Sequence, residues 1–227
     1  MIVSTRKASD RAAEMVNSGK IKATEPQETL KMVIALSPSR SNAAEFDHYA
    51  QLPENQALLL EFVAGEIIQK MPSNPFSAYI AGRFILFFGM YLLQNPIGYV
   101  TASEGGFMIG DDRYAPDMAF VRYARQAMPV KRGYNPIAPD LAVEVISDSD
   151  NAQEWRTLVL KISHYLAAGV VVLVVETTER QIEVHTPGQP PRILGIQDSF
   201  DGGDLLPGFT LQLTDIFPPE LTVSNES

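Results

Sequence analysis

Asp117, Glu144 and Lys161 are the residues of this chain whose types and settings could do chemistry together. Asp117 follows Pro116 and opens the apolar run Met118 to Val121. Glu144 sits inside a second apolar run, Leu141 to Ile146, where an unpaired carboxylate costs a few kcal/mol if buried. Lys161 follows on a segment with helical spacing, which leads through Gly169 into a third run, Val170 to Val175. Two carboxylates on neighbouring strands, with an amine delivered from the next helix, can hold a hard divalent cation and steady an anionic transition state. Asp117 and Glu144 stand far enough apart for a strand, a loop and a return strand. Each residue also has a plain structural reading: Asp117 as a strand start, Glu144 as the outward side of a half-exposed strand, and Lys161 as a solvated helix position. Asp140, on the same strand face as Glu144 by parity, competes as a ligand, although after Pro139 it reads as the end of a loop. His48, His164 and His185 show no metal-ligand spacing.

The elements needed to position this trio can be read along the chain. Residues 1–40 are polar and mixed in charge, and read as an extension. From Ser41, a candidate cap, a short helix runs towards Pro53. Leu58–Val63 and Glu66–Met71 read as a hairpin around Ala64-Gly65. Pro75 opens a helix that Asn95-Pro96 stops near Gln94. That helix is apolar almost all round, which predicts burial on more than one side, against a sheet and a second subunit in a homodimer. Tyr99–Ala102 and Gly106–Ile109 read as strands, with Gly110-Asp111-Asp112 as a turn. A helix over about 151–168, capped by Asp150 and Gly169, links the Glu144 strand to the buried strand Val170–Val175. Gln181–His185 and Arg192–Leu194 suggest a final hairpin, and residues 218–227 a tail. Strand, strand, helix, strand is a mixed α/β order with the helix crossing one face of the sheet.

Composition sets limits on function. The chain has 227 residues, 45% apolar and 20% charged, with no cysteine. Disulfides, thiolate metal sites and thiol catalysis are therefore excluded. The longest uncharged apolar run, Phe84 to Leu93, is short of the ~20 residues that span a bilayer. No secretory signal stands at Met1 to Lys20, so the expectation is a cytoplasmic protein without a membrane partner. The formal charge of −9 is unusual for a nucleic-acid binder. Residues 195–227, however, carry six acids and no Lys or Arg, while Arg113, Arg122, Arg125, Lys131 and Arg132 form a basic strip around the trio.

Six segments occur in an order that carries a resemblance: LEFVAGEIIQKMPSNP, SEGGFMI, YAPDMAFV, APDLAVEVIS, KISHYLAAGVVVLVVE and LLPGFTLQLTDIF. Together they resemble the Uma family of putative restriction endonucleases, a branch of the PD-(D/E)XK nuclease superfamily, over roughly residues 43 to 217. The resemblance implies a restriction-endonuclease-like domain at 41–217, with a central mixed β-sheet flanked by helices. It also implies Mg²⁺-dependent hydrolysis of DNA phosphodiesters, with Mn²⁺ as a substitute. Asp117 matches the acid of the P-D motif and Glu144 the acid of E-x-K. The lysine place two residues on holds Ile146, and the family's helix-borne lysine maps to Lys161. Glu104 matches a recurrent family acid and is a third candidate metal ligand. Asp148 stands where proline is usual, and Ser77 where histidine is. Two other readings compete. One is a degenerate nuclease fold serving as a non-catalytic binding or assembly module. The other is a two-carboxylate glycosidase, disfavoured because the one tryptophan, Trp155, lies on a helix rather than on a sugar platform.

Overall fold

A computed structural model of the chain describes residues 41–146 and 151–219. The expectations for residues 1–40, Asp148, Asp150 and the end of the tail lie outside the described residues. The elements run α1 (Ala43–Gln51), β1 (Leu60–Val63), β2 (Glu66–Gln69), α2 (Pro75–Gln94), β3 (Gly98–Ala102), β4 (Phe107–Ile109), β5 (Asp112–Tyr114), β6 (Met118–Arg122) and β7 (Leu141–Ile146). They continue with α3 (Ala152–Ala167), β8 (Val171–Glu176), β9 (Gln181–His185), β10 (Arg192–Leu194), β11 (Ser199–Asp201), β12 (Thr210–Gln212) and α4 (Leu213–Ile216).

The centre is a six-stranded mixed sheet in the order β10-β9-β8-β7-β6-β3. Its β7–β8 pair is parallel, with Glu144 opposite Val174, because α3 carries the chain back across one face. Side chains alternate along each strand. Met118, Phe120, Leu141, Val143, Val145, Leu173 and Val175 face Ile80, Phe84 and Phe88 of α2. Ala119, Val121, Ala142, Ile146, Val172 and Val174 face the other way, onto Leu158 and Tyr165 of α3 and onto Val63, Phe107, Ile109 and Tyr114 of a second sheet. That sheet has four strands in the order β2-β1-β5-β4. By the same parity Asp117 and Glu144 fall on the α3 side.

Local chemistry sets the helix ends. Asn42, rather than Ser41, caps α1: its side chain accepts from Glu45 N while the Glu45 carboxylate accepts from Asn42 N, a reciprocal capping box. Helix α2 has Pro75 at its first turn and Asn74 as cap, and it ends at Asn95 before Pro96. Asn151 caps α3 through the N–H groups of Gln153 and Glu154, and Gly169, at φ +81°, takes the left-handed turn after its last residues.

Helix α2 buries one stripe on the sheet within the single chain. Ile80, Phe84 and Phe88 are fully buried, each worth about 1.5–3 kcal/mol of apolar burial. Tyr79, Leu86, Met90 and Leu93 on the outer side are exposed. Among the described residues, α2 is the helix long and apolar enough to cross a membrane by length and composition alone. Its buried stripe packs on the sheet as a core helix does.

Candidate active site

Glu144 is the fourth residue of β7, buried on both sides of its strand position. Above it, α3 presents Lys161 and Tyr165, four residues apart and so on one helical face. The Lys161 ammonium donates to Glu144 Oε2 at 2.9 Å and stands at ion-pair distance, 2.8 Å, from Oε1. The Tyr165 hydroxyl donates to Oε1 at 3.0 Å. On its far side Lys161 donates to Glu61 Oε1 at 3.0 Å, and that oxygen also accepts from Ala115 N at 2.7 Å. The ammonium stands 5.4 Å from the centre of the Tyr114 ring, a cation–π distance. The Lys161, Glu61 and Glu144 side chains are 5%, 5% and 8% exposed, so this is a buried ionic triad.

Asp117 closes the other side of the site. Its Oδ2 accepts from Val145 N at 2.8 Å, which ties it to the strand of Glu144. Its Oδ1 lies 3.3 Å from the Lys70 ammonium, which also donates to Ala115 O at 2.7 Å. Glu61, Lys70, Asp117, Glu144 and Lys161 all line one open cleft of about 570 Å³. Its further polar lining comes from Asn74 before α2 and from Asn151, Gln153 and Thr157 at the start of α3.

Burial and charge divide the protons. Burial alone would lower the Lys161 pKa, but Glu144 and Glu61 outweigh it and raise the pKa, so the ammonium stays charged. Burial likewise pulls Glu61 up, but Lys161, Lys70 and the Ala115 N–H together hold it below the usual carboxylate range. Glu144 goes the other way. Burial raises it more than Lys161 and Lys70 lower it, and the neighbouring Glu61 and Asp117 charges add to the rise. Lys161 acts on Glu144 in the lowering direction, but burial outweighs it. Burial also raises Tyr165, with Glu144 adding to the shift, which keeps its hydroxyl a donor.

The fold thus brings Asp117, Glu144 and Lys161 together. Glu104 lies exposed in the turn after β3 and does not line the cleft, so its expected place as a third ligand is not observed. Glu61 and Lys70 take up the space beside the trio, and sequence reasoning missed both. The signal was present: Glu61 interrupts Leu60, Phe62 and Val63 just as Glu144 interrupts its own run.

The basic strip does not surround the site. Arg113 pairs with Asp47 at 2.8 Å, whereas Arg122 and Arg125 pair with Asp140 at 2.7 and 3.4 Å, at the opposite end of β6 from Asp117. Asp140 is thereby accounted for as an ion-pair partner rather than a ligand. His164 is engaged away from the cleft, with Nδ1 at 2.6 Å from the Tyr114 hydroxyl.

The donor set suits a hard cation. Among the described residues no cluster of three Asp, Glu, His or Cys could enclose a metal ion by itself. Mg²⁺ does not require one, since it takes one or two carboxylates and fills the rest with water and phosphate oxygens. Asp117 and Glu144 offer that pair. Among the described residues the cleft lining holds five carboxylates, Glu61, Glu66, Asp117, Glu144 and Glu154, against two ammonium groups, an excess of negative charge that favours a cation.

No curated protein matches the chain. Among solved structures it is similar to a putative nuclease belonging to DUF820 from Anabaena variabilis, at 20% identity and a TM-score of 0.64. The match covers 78% of this chain and 97% of that one, which establishes a shared mixed α/β nuclease-like fold. The family model described as putative restriction endonuclease matches residues 46–214, well over half of the chain and all of the cleft-lining elements. The chain therefore belongs to the Uma2 family of putative restriction endonucleases.

Proposed function

We propose that this protein is a Mg²⁺-dependent DNA endonuclease, with Mn²⁺ as substitute, in which Asp117 and Glu144 hold the ion and Lys161 holds Glu144. The observation that carries this reading is the buried Lys161 ammonium, paired with the carboxylate of Glu144 within the cleft that Asp117 lines. When bound, the ion supplies a more acidic water and polarises a phosphoryl oxygen. The chain's own residues do the positioning. Val145 N fixes the Asp117 carboxylate. Lys161 and Tyr165 fix the rotamer of Glu144 and offset its charge. The non-catalytic alternative drew on Ile146 standing in the usual lysine place, and a buried ammonium already at Glu144 favours the catalytic reading over it. A homodimer across the outer stripe of α2 belongs to the same proposal, because two sites related by a two-fold axis can cut both strands of a duplex.

The test is cleavage of plasmid DNA by the purified chain in Mg²⁺, Mn²⁺ or EDTA, with calorimetry of Mn²⁺ binding alongside. Asp117→Asn, nearly isosteric but uncharged, is expected to keep the fold, lose the Mn²⁺ site and lower cleavage by about a hundredfold or more. Cleavage at the wild-type rate removes Asp117 from the site. Wild type with neither Mn²⁺ binding nor cleavage returns the non-catalytic module.

A further inference from the structure

Among the described residues the cleft has two ammonium groups, Lys70 and Lys161, and their settings differ. Lys161 directs its donors at Glu61 Oε1 and Glu144 Oε2, with Glu144 Oε1 at ion-pair distance, and its side chain is 5% exposed. Turning it towards a substrate would strand two carboxylates in the interior, at a cost of several kcal/mol. Lys70 is set otherwise. Its backbone is anchored just after β2, where its N–H donates to Leu59 O at 2.9 Å, so only the side chain has freedom to turn. Its side chain is 19% exposed at the cleft. Among the described residues the ammonium makes one short contact, to Ala115 O at 2.7 Å, and one long one, to Asp117 Oδ1 at 3.3 Å. An ammonium has three donors, which leaves one directed at neither.

The contact with Asp117 is also conditional. A divalent ion on the Asp117 carboxylate repels an ammonium a few ångströms away, and it claims the lone pairs that Lys70 now shares. A four-carbon stem on an anchored backbone can then turn within the cleft, where Glu61 is already engaged by Lys161 and the Ala115 N–H and a bound phosphodiester brings new anionic oxygens.

On the nuclease reading above, we propose that Lys70 is the substrate-facing cation of this site. Its ammonium leaves Asp117 as the cleft fills, and it donates to a non-bridging oxygen of the bound phosphodiester. Lys161 stays behind as a positioning residue for Glu144. The positive charge that a phosphodiester needs thus comes from the end of β2, a place the basic strip of the sequence did not suggest.

The test is equilibrium binding of a random-sequence DNA duplex to the full chain in Ca²⁺, a hard cation with the same ligand preference, measured by fluorescence anisotropy over a range of salt concentrations. Loss of one phosphate contact lowers the slope of log K against log salt by about 0.9. Lys70→Met is expected to show that drop, and Lys70→Arg to retain the wild-type slope. A Lys70→Met slope equal to wild type overturns the proposal, and so does an equal drop in Lys70→Arg, which would report disturbed structure rather than lost charge. Failure concerns the variants alone. A wild type that binds no DNA in any divalent cation instead removes the nuclease reading, and this proposal with it.

Discussion

An ammonium as buried as that of Lys161 persists only because two carboxylates, a tyrosine ring and the strand beneath it replace water. Lys161→Met therefore leaves Glu61 and Glu144 facing one another with no cation between them. We expect a loss of about 3–5 kcal/mol at pH 8. The pH dependence follows from the direction of the shifts. Without Lys161, burial raises the folded-state pKa of both carboxyls above the unfolded value. The native state then binds protons that the unfolded state has released, and stability falls as pH rises. In wild type the raised Lys161 pKa gives stability that is fully present below the unfolded lysine value, and so constant from pH 5 to 8, and of the two carboxyls Glu144 alone is raised, against the pull of Lys161. The deficit of the variant should shrink as pH falls from 8 to 5 in urea melts. An equal deficit at every pH would mean that the two carboxyls do not sense each other.

The same residues mark what the sequence could and could not reveal. Glu144 and Asp117 were legible because a charge at the edge or centre of an apolar run needs a partner. Glu61 has the same signature in a strand of four residues beside a turn, where a charge normally alternates outward. Only the long-range packing of α3 on β1, which brings Lys161 onto Glu61, covers the face that carries it. Glu104 failed for the opposite reason: a place in a motif does not stop a turn residue from facing water.

Among the elements, α3 and α2 were the clearest from periodicity, and they serve differently. Leu158, Lys161 and Tyr165 fall at helical spacing and place one charged residue within an otherwise apolar stripe. Strands β5, β11 and β12, three residues each, are too short for alternation to register, and sheet pairing alone defines them. Helix α2 carries two stripes. The inner one is core. On the outer one Tyr79, Gly82, Leu86, Gly89 and Leu93 recur at spacings of three and four, the register of a helix–helix seam. Among the described residues nothing lies within 4 Å of where a Cβ would stand on Gly82 or Gly89, so another backbone can approach closely there. Arg83, the one charge on α2, is held by Asp215 O and the Phe87 ring, which leaves the seam uncharged and self-complementary. We expect a dimer mass in light scattering, and for Leu86→Glu a folded monomer whose melting temperature no longer rises with protein concentration. A wild-type monomer at micromolar concentration would remove the homodimer.

At the scale of the whole molecule, charge is the governing constraint. The sequence placed a basic strip around the trio, but nearness in the chain was not nearness in space. Arg113, Arg122 and Arg125 are consumed by Asp47 and Asp140, and the cleft itself is acidic. A chain of net charge −9 with such a cleft repels DNA until a cation enters. Divalent ions should therefore act on stability as well as on binding. Occupancy at a hundred times the dissociation constant adds about 2.7 kcal/mol. For a domain of this size that raises the melting temperature by about 5–10 °C. The rise should be reversed by EDTA, absent in NaCl of equal ionic strength, and lost in Asp117→Asn. DNA affinity should appear over the same range of Mg²⁺ concentration as the stabilisation, because one event, neutralisation of Asp117 and Glu144, drives both. A chain that binds DNA equally well in EDTA would place the nucleic-acid surface elsewhere and separate it from this cleft.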